Sequence, residues 1–162
     1  MIKELKQLET ILSQPITNLT EDQENASYFG FNFQLGKKNI KFRKSRITPK
    51  KTGQFVTFWK RDAKGKSIPF TENDRMDCYF IATALEQHSG LFVFPKQTLI
   101  DRQILTTAYG EGKRGFRVYP PWSLTENKQA TQSKSWQQQY FIDLSAPYPE
   151  IKQKLTNILQ LS

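Results

Sequence analysis

The sequence predicts one domain of α/β or α+β class, with a central mixed or antiparallel sheet of five or six strands flanked by helices. Three observations predict it. At 162 residues the chain has the length of a single domain, roughly long enough to bury two-thirds of its unfolded surface without disulfide or metal staples. Apolar residues recur at helical spacing near both ends, and in period two or short unbroken runs between them. No internal repeat, low-complexity tract or linker divides residues 1–162.

Taken in order, Ile2, Leu5, Leu8, Ile11 and Leu12 predict an amphipathic helix over residues 2–13, ended by Pro15. Residues 16–27 are polar, and Thr20, Glu21, Asp22 and Glu24 offer a helix start reaching Tyr28. Phe29, Phe31, Phe33 and Leu35 then alternate with Gly30, Asn32 and Gln34, a half-buried strand. Gly36 and its lysines turn the chain into a second strand over 39–47, with Ile40 and Phe42 on one face and Lys41 and Arg43 on the other. This pair reads as a hairpin with a basic outer surface. Thr48-Pro49 breaks it, Lys50 to Gly53 form a basic turn, and residues 54–60 make a third, more buried strand. A polar loop, 62–67, centres on Gly65.

The runs DCYFIATAL (77–85) and LFVF (91–94) are nearly continuous and predict strands covered on both faces by helices. Pro95 closes the second, and Leu99, Ile100 and Ile104 predict a helix over 96–105. After the glycine-rich 110–112 comes a short strand, 116–119, stopped by Pro120 and Pro121. Ala130, Trp136, Tyr140, Phe141 and Leu144 predict a helix within 127–144. Pro149, Ile151, Leu155, Ile158 and Leu159 predict another over 149–161.

Charge is concentrated in one stretch. Residues 37–66 hold twelve Lys or Arg against one acid, Asp62; their net of +11 exceeds the +9 of the whole chain. Ile40, Phe42, Ile47, Phe55, Val56, Phe58 and Trp59 interleave with these cations, so the stretch can fold, unlike a disordered polycation. A charge run is ordinarily a solvated face. One this dense between strand-like segments points to an anionic partner: nucleic acid, an anionic membrane surface or an acidic protein. A second basic cluster is Lys113, Arg114 and Arg117, where Gly110, Gly112 and Gly115 would let backbone approach a ligand and offer N–H groups to anions. Its spacing fits neither a Walker A motif nor a dinucleotide fingerprint. The expectation is that this loop and the Arg43 to Lys60 surface converge on one anion-binding concavity.

Other chemistries are poorly served. Cys78 is the only cysteine and His88 the only histidine, which excludes an internal disulfide and Cys/His metal sites and fits a reducing, cytoplasmic compartment. No apolar run approaches the ~20 residues of a membrane span. The opening MIKELKQLETIL contains acids and has an amphipathic period, unlike a signal peptide.

The motifs FRKSRITPKKTGQFVTFWKR, LFVFPK, GEGKRGFRVYPPW and QATQSKSWQQQYF, in that order from about residue 28 to 141, resemble the MepB-like family of small bacterial proteins. The resemblance implies a core similar to type II restriction endonucleases, and nucleic-acid binding. The family takes its name from a member encoded beside a drug-efflux pump, a neighbourhood that is no evidence of transport. A restriction-type site needs an Asp and, on the next strand, Glu-x-Lys, the carboxylates holding Mg²⁺. Here Asp77 heads one strand and Lys96 follows the next, but Phe94 stands where the second carboxylate belongs. A displaced acid, Glu86 or Glu4, would have to restore it.

The leading expectation is therefore binding without cleavage and without a cofactor. Lys41, Arg43, Arg46, Lys50, Lys51, Lys60, Arg61, Lys113, Arg114 and Arg117 would contact phosphates, and Trp122, exposed after two prolines, would stack on bases. Trp136 is expected to pack its helix against the sheet. The alternatives are a divergent Mg²⁺-dependent nuclease using Asp77 and Lys96, and a module for an acidic protein. The sequence leaves the oligomeric state open.

Overall fold

The computed structural model describes residues 1–160, with the side chains of all but residues 25 and 26. The helix expected over 149–161 thus ends one residue beyond the described chain.

Helix α1 (Lys3–Leu12) buries Leu5, Leu8, Ile11 and Leu12, the stripe its period predicts, and Ser13 caps it in the left-handed conformation. The first half of the polar segment after it is a strand, and only its second half, from residue 23, is helical, as a 3-10 turn rather than an α-helix. β1 (Ile16–Glu21) buries only Ile16 and sits at the sheet edge, paired with β2 (Phe31–Leu35). A mostly solvated edge strand has no apolar period to read. A 3-10 turn, Gln23–Tyr28, joins the two. β2 returns through Gly36, at φ 59°, into β3 (Lys38–Lys44).

The strand expected over 39–47 divides at Ser45, whose N–H donates to Ala82 O. β4 (Arg46–Ile47) leaves for a small sheet and pairs with β5 (Gln54–Thr57). The strand expected over 54–60 divides likewise at buried Phe58, and β6 (Trp59–Arg61) pairs instead with β7 (Ser67–Pro69). β8 (Cys78–Leu85) and β9 (His88–Pro95) form a long antiparallel hairpin, followed by α2 (Lys96–Asp101), β10 (Gly115–Val118) and α3 (Lys128–Gln137). Residues 138–144 do not continue the helix. A 3-10 turn, Gln138–Tyr140, leads to an edge strand, β11 (Phe141–Asp143), and then α4 (Tyr148–Leu159).

The main sheet runs β1-β2-β3-β8-β9-β11, parallel only between β3 and β8, so the fold is α+β with a mixed sheet of six strands and, among the described residues, four α-helices. One face packs Phe33, Ile40, Phe42, Phe80 and Val93 against α1 and α4. The other packs Tyr79, Ile81, Phe92 and Phe94 against Val56, Phe58, Phe116 and Val118 of the small strands and Leu99 of α2. The continuous runs of β8 and β9 are thus covered by α1 and α4 on one side; on the other, the cover is mainly a second sheet, β10-β5-β4, with α2 and α3 adding to it. No described helix is long and apolar enough to cross a membrane, which says nothing of a β-barrel.

Candidate nucleic-acid interface

The basic stretch splits into cations turned inward and cations turned outward. Along β3, Lys41 and Arg43 share the face that receives the second layer, so the expected basic outer surface of this hairpin is corrected. Arg43 is fully buried. It pairs with Asp22, donates to Phe42 O at 2.8 Å, and leaves its Nε buried without an acceptor. Such a side chain cannot meet a phosphate from solvent. Lys41, half-buried, donates to Asn32 Oδ1 at 2.8 Å and stands 4.5 Å from the Phe70 ring centroid. Burial foremost, then the neighbouring Arg43 charge, lowers its pKa to about 8.

Other expected contacts are already partnered. Lys60 pairs with Asp74 at 2.7 Å. Burial alone would raise the Asp74 pKa, but hydrogen bonds from Lys60 and Thr71 outweigh it and hold it below its ordinary value. Arg61 pairs with Glu24 at 2.8 Å and lies over Trp59. Arg46 donates to Ser27 O and covers Tyr28. Arg114 pairs with Glu111 at 3.2 Å and donates to Ser67 O.

Five of the outward cations meet in one place. Lys50, Lys51, Lys113 and Arg117, joined by Arg102, line a cleft of about 480 Å³ between α3 and the outer face of the small sheet; Glu126 is the one acid in its lining. Strand alternation explains the arrangement: Val56, Phe116 and Val118 point into the core, so Phe55 and Arg117 point out. Arg117 straps down the turn that carries the two lysines. Its Nε donates to Thr52 O at 3.0 Å, and its Nη2 to Thr48 Oγ1 at 2.8 Å, Gly53 O at 3.2 Å and Lys51 O at 3.3 Å. Gly53, at φ 74°, lets this turn lie on Tyr119; a Cβ there would sit 2.6 Å from the ring.

Helix α3 forms the facing wall. Asn127 caps it by accepting from Ala130 N–H at 2.8 Å. Buried Gln137 docks it onto β10, donating to Arg117 O at 3.0 Å and accepting from Tyr119 N–H at 2.8 Å. Trp136 packs on Phe94, ring centroids 5.3 Å apart, as expected, but it also lines the cleft, with Arg102 5.0 Å from its ring. Trp122 lies elsewhere, stacked on His88 at 5.0 Å and set edge-on to Phe141. Sequence reading missed Arg102 because it stands alone after α2, outside both basic clusters.

The glycine-rich loop approaches its own chain rather than opening toward a ligand. A Cβ on Gly112 would meet Ile104 O at 2.3 Å, and one on Gly115 the Phe55 ring at 2.4 Å. The N–H groups of Gly112 and Lys113 donate inward, to Thr106 Oγ1 and Ile104 O.

The residues proposed for magnesium do not fit it. Asp77 Oδ2 accepts from Asn39 N–H at 2.7 Å, anchoring the start of β3. Lys96 donates through Nζ to Asp74 O at 2.6 Å and through N–H to Asp77 O at 3.0 Å. Glu86 lies at the opposite end of β8, Glu4 pairs with Lys44 at 2.8 Å, and Phe94 is core. Among the described residues no three or more His, Cys, Asp or Glu gather closely enough to hold a metal. Burial raises the thiol pKa of Cys78 well above its ordinary value, which disfavours a nucleophilic thiolate.

Comparison with known proteins places this architecture. The family model described as MepB-like matches residues 22–143. The chain is also similar to a solved structure, the crystal structure of MepB, at 34% identity and a TM-score of 0.81, over 91% of this chain and 100% of that one. No curated protein matches. Both the sequence and the backbone carry the same assignment: the chain belongs to the MepB-like family.

Proposed function

We propose that the protein binds nucleic acid through the cleft between the small sheet and α3, chiefly by contact with the phosphate backbone. The observation that carries this reading is the convergence of Lys50, Lys51, Arg102, Lys113 and Arg117 on one cleft containing a single acid. Exposed cations spaced along a cleft neutralise successive phosphates and release condensed counterions, which makes affinity fall steeply with salt. Trp136 adds an aromatic face beside Arg102 on which a base can stack.

A core of restriction-endonuclease type remains part of this proposal in its binding role, without cleavage residues. The nuclease alternative has no comparable support, because the Asp77 and Asp74 carboxylates are committed to backbone N–H groups and to Lys60. The cytoplasm, where nucleic acid is present and Cys78 stays reduced, is the compartment this reading requires.

Fluorescence anisotropy of labelled single- and double-stranded DNA and RNA, titrated across salt, tests the proposal. Dissociation constants of roughly 1–100 µM near physiological salt, weakening log-linearly as salt rises, are expected. Absence of binding to every polymer at low salt overturns it and leaves an acidic protein as the partner. Magnesium-dependent loss of intact substrate, abolished in Asp77→Ala, would establish the nuclease instead.

A further inference from the structure

A second polar hollow, of about 260 Å³, lies across β1–β3. Its polar lining is Asn18, Asn32, Gln34, Asn39, Lys41 and Arg75, with no carboxylate. Most of the amide oxygens already accept a hydrogen bond from within the hollow. Asn18 donates to Gln34 Oε1, Gln34 donates to Asn39 Oδ1 at 3.0 Å, and Lys41 donates to Asn32 Oδ1 at 2.8 Å. Three of the four side-chain amide oxygens are therefore occupied, and the hollow is left rich in donors: the Asn39 amino group, the remaining Lys41 protons and the Arg75 guanidinium.

Charge points the same way. Around Lys41 stand two closed pairs, Arg43 with Asp22 and Lys60 with Asp74, and Lys41 itself has no carboxylate partner among the described residues. A half-buried ammonium with no carboxylate in contact is unfavourable; burial and then the Arg43 charge lower the Lys41 pKa, against the more distant pull of Asp22 and Asp74. The cluster is short of one anion.

We infer that this hollow is a second, separate anion site, which takes a single phosphate or carboxylate group of a small ligand against Lys41 and Arg75. It requires nothing of the polymer cleft. An oxyanion bound there favours the charged ammonium and so raises the Lys41 pKa.

NMR of the full chain, titrated with millimolar inorganic phosphate and separately with acetate, tests this. The expected result is saturable movement of the Asn32, Gln34 and Asn39 resonances, with the ¹³Cε titration midpoint of Lys41 moved upward. Saturation by phosphate alone would assign a phosphate ligand, and by acetate alone a carboxylate ligand. Arg75→Ala, at an exposed position, should weaken the response by about tenfold while leaving polymer binding intact. The Lys50→Ala/Lys51→Ala/Lys113→Ala variant should leave the response unchanged. Shifts that stay linear and spread over all surface lysines, or saturation indifferent to Arg75→Ala, would overturn the assignment. Neither result touches the polymer-binding reading, which is tested separately by the polymer titrations and the cleft variants.

Discussion

Arg43 and Arg117 occupy the same kind of place in the sequence. Each follows a phenylalanine in a short strand and alternates with apolar residues. Yet Arg43 is sealed beneath the second layer on Asp22, whereas Arg117 lies on the outer face and straps a lysine turn to the cleft. Alternation decides which residues share a face; it does not decide which face is covered. The difference between them is made by the small sheet, which packs on the main sheet and shows its own back to solvent.

The contrast is sharpest in stability. Arg43→Met leaves Asp22 without its partner in a largely buried place and should destabilise the fold by about 3–5 kcal/mol in urea unfolding. A loss below about 1 kcal/mol would mean that Arg43 is in contact with water. Arg117→Ala should remove less, about 1–3 kcal/mol, and should also weaken polymer binding by freeing the turn at 48–53. Arg117→Lys should not restore that binding, because one ammonium cannot reproduce a planar fork over Thr48, Thr52 and Gly53.

A smaller effect distinguishes Lys41. Its pKa, about 8 in the fold, lies below the ordinary 10.5. Between those values the unfolded chain binds more protons than the folded one, so this group makes stability rise with pH across the window. The shift reflects burial first, then Arg43, with Asp22 and Asp74 opposing and Lys60 adding to it. Lys41→Met should flatten that part of the stability profile; an unchanged slope would show that Lys41 is solvated. Least affected of all is Lys50→Ala, whose exposed side chain should change stability by under about 0.5 kcal/mol.

These contrasts also mark how much was legible in the sequence. The helical stripe of α1, the β2–β3 alternation and the apolar β8 and β9 runs carry strong local patterns and were read correctly as elements, though not for what covers their faces. β1 and β11 were not, because each is a short edge strand whose residues carry no complete apolar period. The breaks at Ser45 and Phe58 were hidden because a strand changing sheets keeps its local pattern and alters only its distant partner, Ala82 O in one case and Arg114 O in the other. The cleft was half legible. The clusters at 50–51 and 113–117 were visible as charge, while Arg102 and Trp136 join them only through tertiary packing. The inward turn of Lys41 and Arg43 depended on a layer that no local pattern announces.

The central claim is that position, and not net charge, makes the cleft the binding surface. The most direct test compares two triple variants of equal net charge by anisotropy across a salt series. One replaces Lys50, Lys51 and Lys113 with Ala; the other replaces Lys37, Lys64 and Lys66, which are exposed but do not line the cleft. The account predicts that the first lowers the slope of log affinity against log salt by about 2–3 on duplex DNA, while the second leaves it close to that of the parent chain. Equal losses in the two variants would contradict the account, since the chain would then be binding by overall charge alone.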